Sequence, residues 1–96
     1  MISTHDQQIF DRARAALDAD RPKEALDLLN DLIGRNADDA DLLFWRGKTL
    51  WRMGMREQAT NDYAASASIR PDGPATRALE LARDIASFFN PDLLNP

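Results

Sequence analysis

Side chains able to do covalent or acid–base chemistry are few in this chain of 96 residues, and none stands in useful company. His5 is the one histidine and lies near the amino terminus, where a solvated ring is expected. There is no cysteine, which removes thiol nucleophiles, thiolate metal sites and a disulfide framework. Asp38, Asp39 and Asp41 form the densest acidic cluster, but lack the alternating ligands and glycine of a calcium loop. They read as capping carboxylates at the positive end of a helix dipole. No glycine-rich phosphate loop, Ser/His/Asp set or HExxH segment occurs, and no carboxylate pair has the apolar surroundings that would raise a pKa. Neither catalysis nor a cofactor or metal is expected. The chemistry left is recognition. Phe10, Arg14 and Leu17, and again Phe44, Lys48 and Trp51, are spaced i, i+4, i+7, so each triplet shares one helix face.

The elements that carry those triplets are marked out by glycine and proline. Pro22, Gly34, Gly54, Pro71, Gly73-Pro74 and Pro91 bound windows rich in Ala, Leu and Arg and poor in β-branched residues. Apolar residues recur in them at helical spacing: Ile9, Phe10, Ala13, Ala16 and Leu17 in the first window, Ala25, Leu28, Leu29 and Leu32 in the second. Thr4 with Gln7 has capping-box spacing, Pro22 suits a first helical turn, and Gly34 suits a left-handed helix end. Asp38-Asp39 and Asp72 are N-cap contexts for the third and fifth windows. Five helices are predicted, over 4–19, 22–34, 39–53, 56–69 and 74–89, with no strand and a short tail at 90–96.

Composition sets outer limits. With 44% hydrophobic residues the chain can build one small core, and the length suits a single domain, 1–96. Sixteen acidic against 12 basic side chains give a net charge of −4, which argues against a general nucleic-acid binder. The beginning of the chain has neither a basic nor an apolar leader segment, and no run is long enough to span a bilayer, so a cytoplasmic, non-membrane setting is the expectation.

Shifted by 34 residues, the sequence aligns with itself. Phe10 falls on Phe44, Ala25 on Ala59 and Asp38 on Asp72, while Ala13 falls on Gly47 and Leu17 on Trp51. Small residues at 13/47 and 25/59 would let the two helices of one hairpin approach closely. In residues 40–73, Gly47, Leu50, Gly54, Ala59, Tyr63 and Pro71 stand at the spacing of a known signature, and the chain resembles the tetratricopeptide repeat (TPR) family. It departs at Leu43, where tryptophan is common, at Arg46, where an apolar residue is usual, and at Ser66, where alanine is usual. Residues 6–39 fit through Ala13, Ala16, Ala25, Leu29 and Leu32, but carry Asp20 and Ala37 in place of glycine and proline.

The resemblance implies an all-α fold: two stacked helix-turn-helix repeats (6–39 and 40–73) and a C-terminal capping helix with tail (74–96), five helices in a right-handed α-solenoid. In the last helix the positions that would meet a following helix hold Arg77, Glu80 and Asp84, so Ala78, Leu81, Ala82, Ile85, Phe88 and Phe89 are expected to lie against the preceding repeat. The chain is also similar to short free-standing bacterial members of the family.

In such arrays the first helix of each repeat lines a concave groove. The resemblance places Phe10, Arg14, Leu17, Phe44, Lys48, Trp51, Arg52 and Ile85 there, an apolar and aromatic floor set with cations. The fifteen positions it maps to the groove carry a net charge of +1. Phe10 and Phe44 fit two roles equally, groove lining and packing of repeat against repeat. Trp45 reads as a partly buried packing residue on another side of its helix, and Arg46, Arg52 and Arg56 as a solvated face. The Lys/Asn/Arg clamp of chaperone-binding TPRs is absent: its slots hold Phe10, Arg14, Trp45, Ala75 and Leu79. What the resemblance implies is a non-enzymatic, protein-binding scaffold that takes an acidic peptide or helix with apolar anchors, not a chaperone tail. The alternative expectation is a homo-oligomer, a structural protein that self-associates through Phe88, Phe89, Leu93 and Leu94. An RNA-reading helical repeat of similar period is disfavoured by the acidic total and the Gly47/Ala59/Pro71 pattern.

Overall fold

Helix ends in this chain are fixed by a few side chains and two left-handed residues. A computed structural model describes residues 2–88, the Phe88 side chain apart, and holds α1 (Thr4–Asp18), α2 (Pro22–Arg35), α3 (Ala40–Arg52), α4 (Arg56–Ile69) and α5 (Pro74–Phe88). There is no strand among the described residues. Phe89, Leu93, Leu94 and the rest of the tail lie outside them. The Ser3 hydroxyl, not a Thr4 capping box, accepts the Asp6 N–H at 3.1 Å and starts α1. Asp39 starts α3 by accepting the N–H groups of Asp41 and Leu42 at 3.0 and 3.1 Å. Pro22 opens α2, where no amide hydrogen is needed. Gly34 does not end its helix: α2 runs through it and stops at Asn36, whose side-chain amide donates to the Leu32 carbonyl at 2.9 Å.

The 34-residue period is present in the backbone. The bounds of α2 and α4 differ by that interval, as do the ends of α1 and α3 and the starts of α3 and α5. Asp20 (φ 61°) and Gly54 (φ 81°) are left-handed at equivalent places. The turn hydrogen bonds recur with them: Arg21 N–H to the Ala16 carbonyl at 2.8 Å, then Met55 N–H to the Leu50 carbonyl at 2.9 Å. Asp20 thus adopts the glycine-type turn; aspartate is among the few residues that tolerate it.

Each helix packs on its neighbour in sequence, and α1 also touches α3. One core cluster joins Phe10, Ala13, Leu29, Leu32 and Leu42 across α1, α2 and α3, and a second joins Ala16, Leu17 and Ala25. A third joins Leu50, Ala59, Tyr63, Leu79 and Ala82 across α3, α4 and α5. Ala13, Ala25, Gly47 and Ala59 are all buried at the close approaches. The Ser66 hydroxyl, which stands where a methyl group would suffice, donates to the Ala40 carbonyl at 2.7 Å and so is buried without loss. Asp6 is buried as well, taking hydrogen bonds from Arg35 (2.8 Å) and Asn36 (3.0 Å) that tie α1 to the end of α2. Those bonds hold its carboxyl below the ordinary value of 3.8.

Helix α5 turns a different side to the protein than its apolar residues suggest. Ala75, Leu79 and Ala82 are buried against α4, and Ala78 and Ile85 are half-buried. Leu81, expected against the preceding repeat, is 52% exposed. The correction follows from helical rotation: Leu81 stands about 100° from Ala82 and points away from the packed stripe.

Two glycines make opposite demands. A Cβ on Gly47 would stand 2.6 and 2.7 Å from ring carbons of Tyr63 and 3.3 Å from the Ala59 carbonyl oxygen, whereas a Cβ on Gly34 meets nothing within 4 Å. Overpacking costs about 1–3 kcal/mol and outweighs the roughly 1 kcal/mol that alanine gains over glycine in a helix. Gly47→Ala is expected to lower the thermal midpoint by several degrees, and Gly34→Ala to leave it unchanged or raise it. Paired melts followed by circular dichroism check both signs.

Candidate functional site

Four rings form a row across three helices. Phe10 of α1 meets Trp45 of α3 edge to face, with centroids 6.4 Å apart at 77°. Trp45 meets Phe44 at 6.0 Å and 80°, and Phe44 lies 5.9 Å from Tyr63 of α4. T-shaped contacts of this kind place a positive ring edge on a negative ring face. Tyr63 is buried at the end of the row, and burial, followed by the nearby Asp62 charge, pushes its phenol up to about 12.

Two cations lie over the row. The Arg14 guanidinium stands 4.7 Å from the Phe10 ring centre and 5.8 Å from that of Trp45. Lys48 Nζ lies 4.4 Å from the Trp45 ring centre and 5.6 Å from that of Phe44. Trp45 is the partly buried packing residue expected, set against Phe10, Ala16, Leu17 and Ala25, and it is also the ring both cations share. The signal for it was local: Trp45 precedes Lys48 by three residues, as Asp11 precedes Arg14. The two pairs are equivalent under the 34-residue shift, one a ring and one a carboxylate beneath its cation. Arg14 donates to Asp11 at 2.6 Å, and Gln7 adds a bond at 3.0 Å; Arg14 first and then Gln7 hold the Asp11 carboxyl below its ordinary value. Lys48 has no carboxylate partner among the described residues and is exposed, which leaves its charge available.

The sequence-expected groove residues separate into three groups. Phe10 and Leu17 are buried, 7% and 3% exposed, and fill space between helices. Arg14, Phe44, Lys48 and Trp51 are open or half-open on one side of the molecule, as the i, i+4, i+7 spacing requires. Arg52 is exposed, but its Nη1 donates to the Leu17 carbonyl at 2.8 Å, tying the end of α3 to the end of α1. Trp51 and Ile85 are brought together. Both line a depression of about 330 Å³ with Arg56 and Ala86, and a second of about 200 Å³ with Ala78 and Leu81. The Arg56 guanidinium covers the Trp51 ring at 5.0 Å. A larger hollow of about 610 Å³ between Arg35, Asp39 and Arg70 mixes polar and apolar residues, and its two arginines are already paired: Arg35 bonds Asp6 and Asp31, and Arg70 bonds Asp41.

Arg46 is not part of a solvated face. Its Nε and Nη2 donate to both oxygens of buried Asp62 at 2.7 and 2.8 Å, and Nη1 donates to Asn30 at 3.1 Å. The carboxylate fork raises the Arg46 pKa, chiefly through the hydrogen bonds, and clamps α3 to α4 on the side away from the rings. Arg46 on α3 is thus matched by an aspartate one helix later.

Among the described residues no group of three or more His, Cys, Asp or Glu side chains is placed to hold a metal ion, and no helix is long and apolar enough to cross a membrane. Compared with protein-family models, curated proteins and solved structures, the chain matches none.

Removing Arg46 leaves the Asp62 carboxylate buried and unpaired, which costs about 1–3 kcal/mol. Arg46→Leu is expected to destabilise the fold by that order. The double variant Arg46→Leu/Asp62→Ala should be more stable than Arg46→Leu alone, because the orphaned charge goes with it. Urea unfolding of the three proteins checks the order.

Proposed function

We propose that this chain is a non-enzymatic protein-binding module of the TPR type. On this reading residues 6–39 and 40–73 are two stacked repeats of a right-handed solenoid, capped by α5, working in the cytoplasm. The 34-residue recurrence of helix bounds, left-handed turns and turn hydrogen bonds supports the repeat assignment. The single observation that carries the function is the face formed by Lys48 on Trp45 and Phe44, with the Trp51–Ile85 depressions alongside.

The ligand that fits is an acidic peptide or helix with an aliphatic or aromatic anchor. The anchor enters beside Trp51 and Ile85, where covering one large apolar side chain is worth about 1.5–3 kcal/mol. Its carboxylates meet Lys48 and Arg56, at about 0–1 kcal/mol for each exposed pair. Affinity therefore rests on the anchor, and the choice of an acidic partner on the cations. Arg14 contributes less, because Asp11 already balances it.

Both tryptophans of the chain lie at this face, so their emission reports on its occupancy. Peptides that share an apolar anchor but differ in flanking charge are titrated against wild type, Lys48→Glu and Trp51→Ala. Acidic peptides are expected to bind the wild type more tightly than basic ones, and Lys48→Glu to weaken or reverse that preference. Trp51→Ala should weaken both peptides with helicity retained. Equal binding of acidic and basic peptides, or indifference to both substitutions, would refute the assignment.

A further inference from the structure

The side of α5 that faces away from α4 carries Arg77, Leu81 and Asp84, with the Glu80 carboxylate at their edge, all exposed. Three large hydrophobic residues are exposed among those described, and two of them, Met55 and Ile69, stand at the two ends of α4. Leu81 differs in lying mid-helix, with a cation one turn before it and a carboxylate one turn after. At 100° per residue the three side chains fall within about 60° of one another, on one stripe. Neither Arg77 nor Asp84 makes an ion pair with another described residue, so both charges are available to a partner.

A plus–apolar–minus stripe is complementary to itself in one orientation. We infer that a second copy of this chain packs on α5 about a two-fold axis, the two helices antiparallel, with Leu81 on Leu81 and Arg77 of each copy against Asp84 of the other. The midpoint between positions 77 and 84 falls within about 1 Å of Leu81 along the helix axis, so the two ion pairs and the apolar contact form in a single register. A parallel arrangement would set Arg77 on Arg77 and Asp84 on Asp84. A head-to-tail stack on α1 lacks an apolar counterpart, because the exposed side of that helix holds Gln8, Arg12 and Ala15. The contact therefore closes as a dimer and does not propagate. One helix face is smaller than the roughly 800 Å² per partner of a standard interface, so association is weak, with dissociation constants of micromolar order or above. The contact needs no peptide, and Leu81 is the side chain it shares with the smaller depression beside Trp51; sedimentation without peptide tests the contact alone.

Sedimentation equilibrium of the 96-residue chain up to millimolar concentration tests the inference. Wild type is expected to show a reversible monomer–dimer equilibrium. Arg77→Asp and Asp84→Arg each place two like-charge pairs in the interface and should raise the dissociation constant about tenfold or more. Mixed in equal amounts, the two variants should recover the dimer, because both pairs are then opposite in charge across the two-fold. Leu81→Gln should also be monomeric. Each of these side chains is exposed, so far-UV circular dichroism should be unchanged. A wild type that stays monomeric, species larger than a dimer, single variants that associate like wild type, or a mixture that does not recover would each overturn the two-fold contact.

Discussion

With no side chain at position 47, helix α3 can lie against α4 at a distance set by the flat ring of Tyr63. Much of the molecule follows from that seat. Tyr63 braces Phe44, Phe44 meets Trp45 edge to face, and Trp45 reaches Phe10 on α1, so a row of rings joins three helices. On the far side of α3 the Arg46–Asp62 fork holds the same pair of helices together. A single methyl group at Gly47 would press on the ring from which this row begins. Dense packing makes such a contact discrete: interiors have few voids into which a ring could withdraw.

The same seat explains how a short chain presents cations without neutralising all of them. Lys48 lies over the Trp45 and Phe44 rings, whose faces attract a cation without cancelling its formal charge. Arg14, 34 residues earlier, has Asp11 where α3 has Trp45, and that carboxylate takes up its charge. Two equivalent positions thus carry different electrostatics on one backbone geometry. The protein has a net charge of −4, but on this face Lys48 stands on an aromatic base and Arg56 on the Trp51 ring, beside apolar depressions.

Features set by local sequence were legible before the structure. The five helices fall within about two residues of their expected bounds because proline, aspartate and the spacing of apolar residues act within one or two turns. The buried small residues at 13, 25, 47 and 59 were legible too, since the shift by 34 aligns them in pairs. Contacts between side chains on different helices were not. Nothing in the periodicity links Arg46 to Asp62, or Asp6 to Arg35, because each pair depends on the angle at which two helices pack. Leu81 was set on the wrong side for a related reason: one helical step is 100°, enough to exchange a packed position for an open one. Gly34 and Asp20 show the limit of residue type. The glycine sits in a helix, and the aspartate makes the left-handed turn.

If the α3–α4 seat organises the fold, its amides should open last. Native-state hydrogen exchange read residue by residue measures this directly, since opening free energies rise from fraying ends to the most stable unit. The expected result is that amides in the middle of α3 and α4 exchange only with global unfolding, while α1 and α5 open at lower free energy and Gly47→Ala removes that difference. Protection that is greatest in α1 and α2, or that is unaffected in α3 and α4 by Gly47→Ala, would contradict the account.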